Sequence, residues 1–164
     1  GFSLIADRTA YLHHIGSLTG NRVHQGYWNS DIQTDRSNNA LIRKHGLKAG
    51  FVVVQSLHTT TAVFINEFQQ ALMDDIKAFL ERIVGRIDYW RHNDPRLSEC
   101  DRKNADSHLR AMLLGHTLSV PVRNGALALG NWQSIILAEL DGPRERAVQI
   151  QVLGVPEDPV PQPK

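Results

Sequence analysis

The chain has 164 residues, of which 41% are hydrophobic and 21% charged, a composition typical of one globular domain with its own apolar core. Its 18 Lys and Arg nearly balance its 17 Asp and Glu, so no strong field directs it to nucleic acid or to an anionic membrane. No segment approaches the about 18 apolar residues that span a bilayer, and the start lacks a signal-peptide pattern. The single cysteine, Cys100, cannot form an internal disulfide, so we expect a reducing, cytoplasmic location.

The first 35 residues show no clear periodicity, and no element is predicted there. This segment contains three histidines to which the pattern assigns no role: His13, His14 and His24. Residues 38–45 predict a short helix, which Gly46 would end.

The next segment predicts two strands and a long helix. Residues 51–57 and 59–65 are rich in β-branched residues, as strands are. Asn66 then predicts a helix N-cap, with Glu67 in a first turn where a carboxylate complements the helix dipole. Apolar residues at three- and four-residue spacing continue the helix to Gly85.

Residues 86–103 are polar and predict a long loop, which is uncommon in a compact domain unless it has a function. Asn104 and Gly115 then bracket a second predicted helix over 105–114. The rest of the chain favours hairpin-linked strands: one around Val120, a turn at Asn124-Gly125, and strands over 132–140 and 147–153.

This order of elements predicts an α+β fold, a single domain with a largely antiparallel sheet or sandwich and helices packed on one side. The domain would cover residues 1–154. Residues 155–164 contain four prolines and predict an extended, mobile tail.

Three histidines far apart in the chain are candidates for one metal site: His58 at a strand end, His92 in the long loop and His108 on the second predicted helix. Three neutral imidazoles suit zinc with water in the fourth position. For two of these residues an ordinary alternative stays open: a satisfied core histidine for His58 and an exposed loop histidine for His92.

Four polar side chains are candidate catalytic residues: Glu139, Glu67, Gln133 and Asn104. Glu139 stands in an apolar strand, where a carboxylate is costly unless it is paired or functional. It could act as a general base or metal partner, or form an ion pair with Arg144 or Arg146. Helix capping is the alternative for Glu67 and Asn104.

Taken together, the motifs between about Asp31 and Gly154 resemble the YjbQ family, also called the secondary thiamine-phosphate synthase family. Residues 1–30 match poorly. The matching pieces are His58-Thr-Thr-Thr-Ala, Ile65-Asn-Glu67, Asp75, Asp88-Tyr-Trp-Arg-His92, Asn104-Ala-Asp-Ser-His108-Leu, Gly115-His-Thr, Pro121, Gly125, Leu129-Gly-Asn-Trp-Gln133, Glu139 and Asp141-Gly-Pro-Arg144. The chain departs from the family pattern at Asn131, at His116 and in the loop 91–103.

The resemblance implies a homotrimer with a metal-capable pocket at His58, His92 and His108, zinc being the first expected ion and magnesium the second. It also implies a secondary activity that joins a pyrimidine pyrophosphate to a thiazole phosphate and releases pyrophosphate. Arg144 and Lys103 would bind phosphate. Two alternatives stay open: a trimer that binds a metal or metabolite without catalysis, and a three-histidine zinc hydrolase with Glu139 or Glu67 as general base.

Overall fold

The computed structural model describes residues 3–12, 27–30, 42–43, 46–142, 144 and 146–156. In this part of the chain, strands and helices follow one another as a mixed α and β architecture. The elements are β1 Ser3–Leu12, β2 Tyr27–Ser30, β3 Leu47–Ser56, β4 Thr61–Asn66, α1 Gln70–Ile83, a 3₁₀ turn at Arg91–Asn93, α2 Ala105–Leu114, β5 Thr117–Arg123, β6 Ala126–Leu127, β7 Ser134–Glu139 and β8 Arg146–Pro156.

The strands form two antiparallel sheets. The larger sheet has the order β1-β8-β3-β5-β6, and the smaller sheet has the order β2-β7-β4. Because β3 and β4 follow each other in the chain but lie in different sheets, the turn between them, which carries His58, connects the two sheets. The predicted α+β single domain with antiparallel sheets is confirmed.

The core is built from the inward faces of the strands. Along β3, Val52 and Val54 are buried, whereas the flanking Phe51 and Gln55 are exposed and the intervening Val53 is partly buried, which is the period-two pattern of a half-buried sheet. The buried cluster of the core comprises Ile42, Leu47, Val52, Val54, Val63, Val120, Val122, Ile135, Val148, Ile150 and Val152.

Helix α2 lies against the smaller sheet through small residues. Ala111 of α2 belongs to a buried cluster with Ala62 of β4, Ala138 of β7 and Leu140, which directly follows β7. Ser107 of α2 also donates a hydrogen bond to the carbonyl of Leu140 at 2.6 Å. The small side chains let the helix approach closely, so α2 is fixed against the last residues of β7.

The predicted bounds of α2 are confirmed, but the helix after β4 begins later than predicted. Its N-cap is Gln69, whose Oε1 accepts the N–H of Leu72 at 2.8 Å. Asn66 is instead the last residue of β4 and pairs with Ser134 of β7. The prediction that Asn66 caps this helix, with Glu67 in its first turn, was therefore wrong, because strand pairing extends the sheet through Asn66.

Two further differences concern the ends of the chain. Strands β1 and β2 lie within the first 35 residues, where no element was predicted, and β8 continues through Val155 and Pro156 into the predicted tail. Most of the predicted helix at 38–45 lies outside the described residues.

The turn at Asn124-Gly125 is confirmed, since both residues have positive φ (51° and 73°) and join β5 to β6. Among the described residues, neither α1 nor α2 has the length and apolar character needed to cross a membrane.

One close backbone approach in the larger sheet requires glycine on both strands. Gly50 of β3 lies directly opposite Gly154 of β8. A Cβ at Gly50 would collide with the carbonyl oxygen of Leu153, and a Cβ at Gly154 would collide with that of Ala49. The pair therefore lets β3 and β8 approach more closely than residues with side chains would allow.

Candidate functional site

The candidate site lies where β7 ends beside the first turn of α2. Its base is a buried ion pair between Glu139, the last residue of β7, and Arg146, the first of β8; their side chains are 5% and 7% exposed. Arg146 Nε contacts one carboxylate oxygen, and Nη2 donates to Oε1 at 2.6 Å and to Thr60 Oγ1 at 3.2 Å. The Asp141 N–H donates to the same Oε1 at 2.8 Å. Of the alternatives open for Glu139, the structure places it in an ion pair with Arg146.

This arrangement also explains the glycine that follows Asp141. A Cβ at Gly142 would lie 2.5 Å from Cγ of Glu139. The chain can therefore turn over the buried carboxylate only because residue 142 has no side chain.

Three polar side chains lie around the carboxylate of Asp141, next to this buried ion pair. Arg102 contacts Asp141 with Nε at 3.0 Å and Nη2 at 3.2 Å, Asn104 Nδ2 donates at 2.8 Å, and Arg144 Nη1 lies 3.7 Å away. Asp141 is 9% exposed, whereas Arg102 and Arg144 are 41% and 34% exposed. Two guanidinium groups thus share one carboxylate, and their surplus positive charge faces solvent.

His92 and His108 lie together beside this cluster. Their ring centroids are 5.1 Å apart and the rings are nearly perpendicular, at 83°. Burial lowers the pKa of His108, the neighbouring His92 lowers it further, and the carboxylates of Asp141 and Asp106 oppose the shift. The net effect favours a neutral His108 at neutral pH, which can act as a hydrogen-bond donor and acceptor.

The ring of His58 is hydrogen-bonded to the backbone of β8. Its Nε2 accepts the backbone N–H of Ala147 at 2.8 Å. The proton of the neutral ring is then on Nδ1, so neither nitrogen retains a free lone pair for a metal ion. Within the described residues no group of three or more His, Cys, Asp or Glu is placed to hold a metal ion. The structure therefore brings His92 and His108 together but does not present His58 as a third ligand, and a three-histidine centre does not fit this arrangement.

Two of the predicted catalytic residues lie at the opposite end of the β4–β7 pair. Register pairs Thr61 with Glu139 at one end and Asn66 with Ser134 at the other. Glu67 and Gln133, which flank this second end, are both exposed, and Gln133 Oε1 accepts the N–H of Gly130 at 2.8 Å. Glu67 is thus separated from the histidine pair by the length of a strand.

The remaining candidates are distributed as follows. Asn104 is buried and bonded to Asp141, so it belongs to the site. Lys103 is exposed, and its neighbour Arg102 contacts Asp141 instead. His116 Nε2 is buried and has no hydrogen-bond partner in the part of the chain that the structure describes. The sequence reading missed Arg102, because one arginine in a polar loop carries no periodic or spacing signal.

A comparison with protein families matches residues 23–155 to the description "UPF0047 protein YjbQ-like". The chain belongs to this family. A UPF0047 protein of Methanothermobacter thermautotrophicus is 45% identical over 116 residues, covering 71% of this chain and 77% of that protein. UPF0047 protein YugU of Bacillus subtilis is 32% identical over 123 residues, covering 75% of this chain and 89% of that protein. The resemblance inferred from the motifs is confirmed.

Two solved structures share the fold of this family member. A YbjQ-like protein of Sulfolobus solfataricus superposes with a TM-score of 0.76 at 31% identity, covering 94% of this chain and 100% of that one. A protein of Aeropyrum pernix superposes with a TM-score of 0.71 at 30% identity, covering 92% and 100%.

The lowered pKa of His108 gives a testable pH dependence. We expect His108 to titrate below the usual value of about 6.5 for histidine, and His92→Ala to raise its pKa by removing one cause of the shift. Since the folded protein then binds fewer protons than the unfolded chain, this contribution to stability is present above about pH 6.5 and is lost as pH falls through the folded pKa. NMR titration of the imidazole C–H signals measures it, and a wild-type His108 that titrates at or above the usual value would contradict the expectation.

Proposed function

We propose that the protein binds the phosphate or pyrophosphate group of a small molecule at Arg102 and Arg144, beside His92 and His108. The observation that carries this proposal is the sharing of Asp141 by two partly exposed guanidinium groups. Arginine offers a planar fork of N–H donors that matches phosphate oxygens. Asp141 fixes both arginines yet neutralises only one positive charge, so an anion can complete the balance.

Within this class we propose the secondary thiamine-phosphate synthase reaction. In it, the thiazole nitrogen attacks the carbon that carries pyrophosphate on the pyrimidine partner. The new C–N bond forms as the C–O bond breaks, and pyrophosphate leaves with the bonding electron pair. Negative charge therefore grows on the leaving group, where preorganised positive charge is most effective.

The histidine pair would assist at the same leaving group. A neutral His108 keeps one N–H donor, and His92 lies against it. Either ring could donate a hydrogen bond to a phosphate oxygen as charge accumulates. Glu139 would contribute only by holding the backbone of Asp141 in place, because its carboxylate is occupied by Arg146.

Binding is tested most directly with inorganic pyrophosphate in a calorimetric titration. We expect Arg102→Ala and Arg144→Ala each to weaken binding by about tenfold or more, since a hydrogen bond to a charged group contributes about 1.5–3 kcal/mol. Each variant leaves Asp141 with its other arginine, so the fold should survive. Lys103→Ala is the matched control, because it removes a neighbouring positive charge that does not contact Asp141. Equal loss in all three variants would indicate general charge attraction and would overturn the assigned site.

Turnover separates catalysis from binding alone. Pyrophosphate release is followed with the pyrimidine pyrophosphate and thiazole phosphate together, and with each alone as the control. Formation of thiamine phosphate by the wild type, reduced in Arg102→Ala, would support the synthase reaction. Pyrophosphate binding without product would favour the alternative, a metabolite-binding protein without catalysis.

A second candidate function is supported by the histidine pair itself. We propose that His92 and His108 bind one divalent ion, zinc in preference to magnesium, because imidazole nitrogen is a ligand that zinc favours. In a zinc titration we expect His92→Ala and His108→Ala to abolish binding, whereas His58→Ala should change it little, since His58 Nε2 is bonded to Ala147. An equally large loss in His58→Ala would overturn the two-histidine site in favour of a three-histidine centre.

We further propose that the chain assembles as a homotrimer through the outer face of the larger sheet. Phe51 is exposed there, with Leu153 and Pro121 as its neighbours on the adjacent strands. Exposed apolar surface of this kind is typical of an interface. Light scattering should give three times the 18.4 kDa chain mass, and Phe51→Glu should dissociate the trimer. Phe79→Glu, which changes an equally exposed phenylalanine on α1, is the control, and loss of the trimer in that variant alone would contradict the assigned face.

A further inference from the structure

The N-terminus of α2 is capped from another part of the chain. Asn104 occupies the N-cap position, yet its side chain makes no capping hydrogen bond. Its amide is committed elsewhere: Nδ2 donates to Asp141 at 2.8 Å, and Oδ1 accepts from the thiol of Cys100 at 3.6 Å. The side chain of Asn104, which would ordinarily cap the helix, is bonded to Asp141 instead. The first backbone N–H groups of α2 therefore lack a cap from the N-cap residue itself.

Asn93 supplies a partner for one of these groups. Its Oδ1 accepts the N–H of Ala105, the first residue of α2, at 3.0 Å. Asn93 is the last residue of the 3₁₀ turn at Arg91–Asn93 and follows His92 directly. His108 stands three residues after Ala105 in the first turn of α2. This hydrogen bond therefore joins the turn that carries His92 to the helix that carries His108.

We propose that Asn93 is a positioning residue that holds His92 against His108 by capping α2 from the loop. The proposal rests on the proposed function only in that it gives these two histidines a shared role. The capping bond sets the separation of the two rings without any bound ligand. It fixes the backbone next to His92 and the first turn of α2, which carries His108.

The loop has other anchors that do not reach α2, among them the bonds from Arg102 to Asp141. Asp94 accepts from Tyr89 Oη at 2.9 Å and from Arg96 Nη2 at 2.7 Å, and Trp90 Nε1 donates to the Gly85 carbonyl at 2.9 Å. None of these bonds joins the loop to α2.

From the loop, Arg86 also contacts α2, with Nη1 3.5 Å from Asp106 Oδ2. This contact is longer than the bond from Asn93 and begins six residues before His92. Asn93 is therefore better placed than Arg86 to set the position of the histidine ring.

The test measures ring geometry without any ligand. In a nearly perpendicular pair, the ring current of His92 shifts the imidazole C–H signals of His108. The shift is obtained by comparing these signals with and without His92→Ala, at a pH where both rings are neutral. The comparison is repeated in Asn93→Ala, in Asn93→Asp, which keeps the acceptor oxygen, and in Gln69→Ala, which removes the corresponding cap of α1. Using the difference in each background cancels the direct effect of the Asn93 substitution.

We expect the His92-dependent shift to be lost in Asn93→Ala, retained in Asn93→Asp and retained in Gln69→Ala even though that variant also loses a helix cap. Full retention in Asn93→Ala would overturn the proposal, and so would an equal loss in Gln69→Ala. If Asn93→Ala does not fold, Asn93→Ser serves in its place, with a reduced shift expected and an unchanged shift contradicting the role. Because pyrophosphate binding is measured separately, its absence would reject the proposed function without affecting this result.

Discussion

The buried ion pair between Glu139 and Arg146 is the interaction on which the candidate site depends. Removing two charges from water is costly, and the attraction between them compensates only when the remaining donors and acceptors are also satisfied. Here the carboxylate accepts from the arginine and from the backbone of Asp141, and Thr60 accepts another guanidinium proton. The pair therefore joins the end of β7, the start of β8 and the turn after β3, and it fixes the backbone from which Asp141 projects.

Three arginines near the candidate site differ in burial and therefore in role. Arg146 is enclosed and its charge is matched by Glu139, so it has nothing to offer a ligand. Arg102 and Arg144 are partly exposed and share one carboxylate, so they retain hydration, which under the proposed function they exchange for an anion. An arginine is thus enclosed and charge-matched where it has a carboxylate to itself, and it keeps surplus positive charge where two arginines share one carboxylate.

The fold was predictable where local patterns and tertiary structure agree. The period-two strands, the turn at Asn124-Gly125 and the bounds of α2 all follow from spacing and from turn chemistry. The start of α1 was misplaced because Asn66 favours a helix cap locally, whereas pairing with Ser134 continues the strand through it. Strand β2 was missed because four residues are too short to show a period, and its place is set by pairing with β7.

Only part of the candidate site could be predicted as residues, and their roles could not: Glu67 and Gln133 lie at the far end of the β4–β7 pair, and Arg102 was missed. His92, His108, Asn104, Glu139 and Arg144 all lie where β7, α2 and the loop meet, and the motifs named each of them. Which side-chain atoms remain without a partner depends on the tertiary structure. Glu139 has the sequence context of a general base, yet Arg146 occupies its carboxylate, and Asn104 has the context of a helix cap, yet Asp141 uses its amide.

His58 shows this limit most clearly, because its type and its position at a strand end both suggest a metal ligand. A histidine coordinates through a nitrogen lone pair, and a neutral ring has only one. In this fold the Ala147 N–H takes that lone pair and ties the turn after β3 to the start of β8, directly beside Arg146. For His58 to coordinate an ion, this backbone N–H would have to lose its partner next to a buried ion pair. The hydrogen bond at a single nitrogen thus decides whether His58 is available as a ligand, and no spacing in the sequence encodes it.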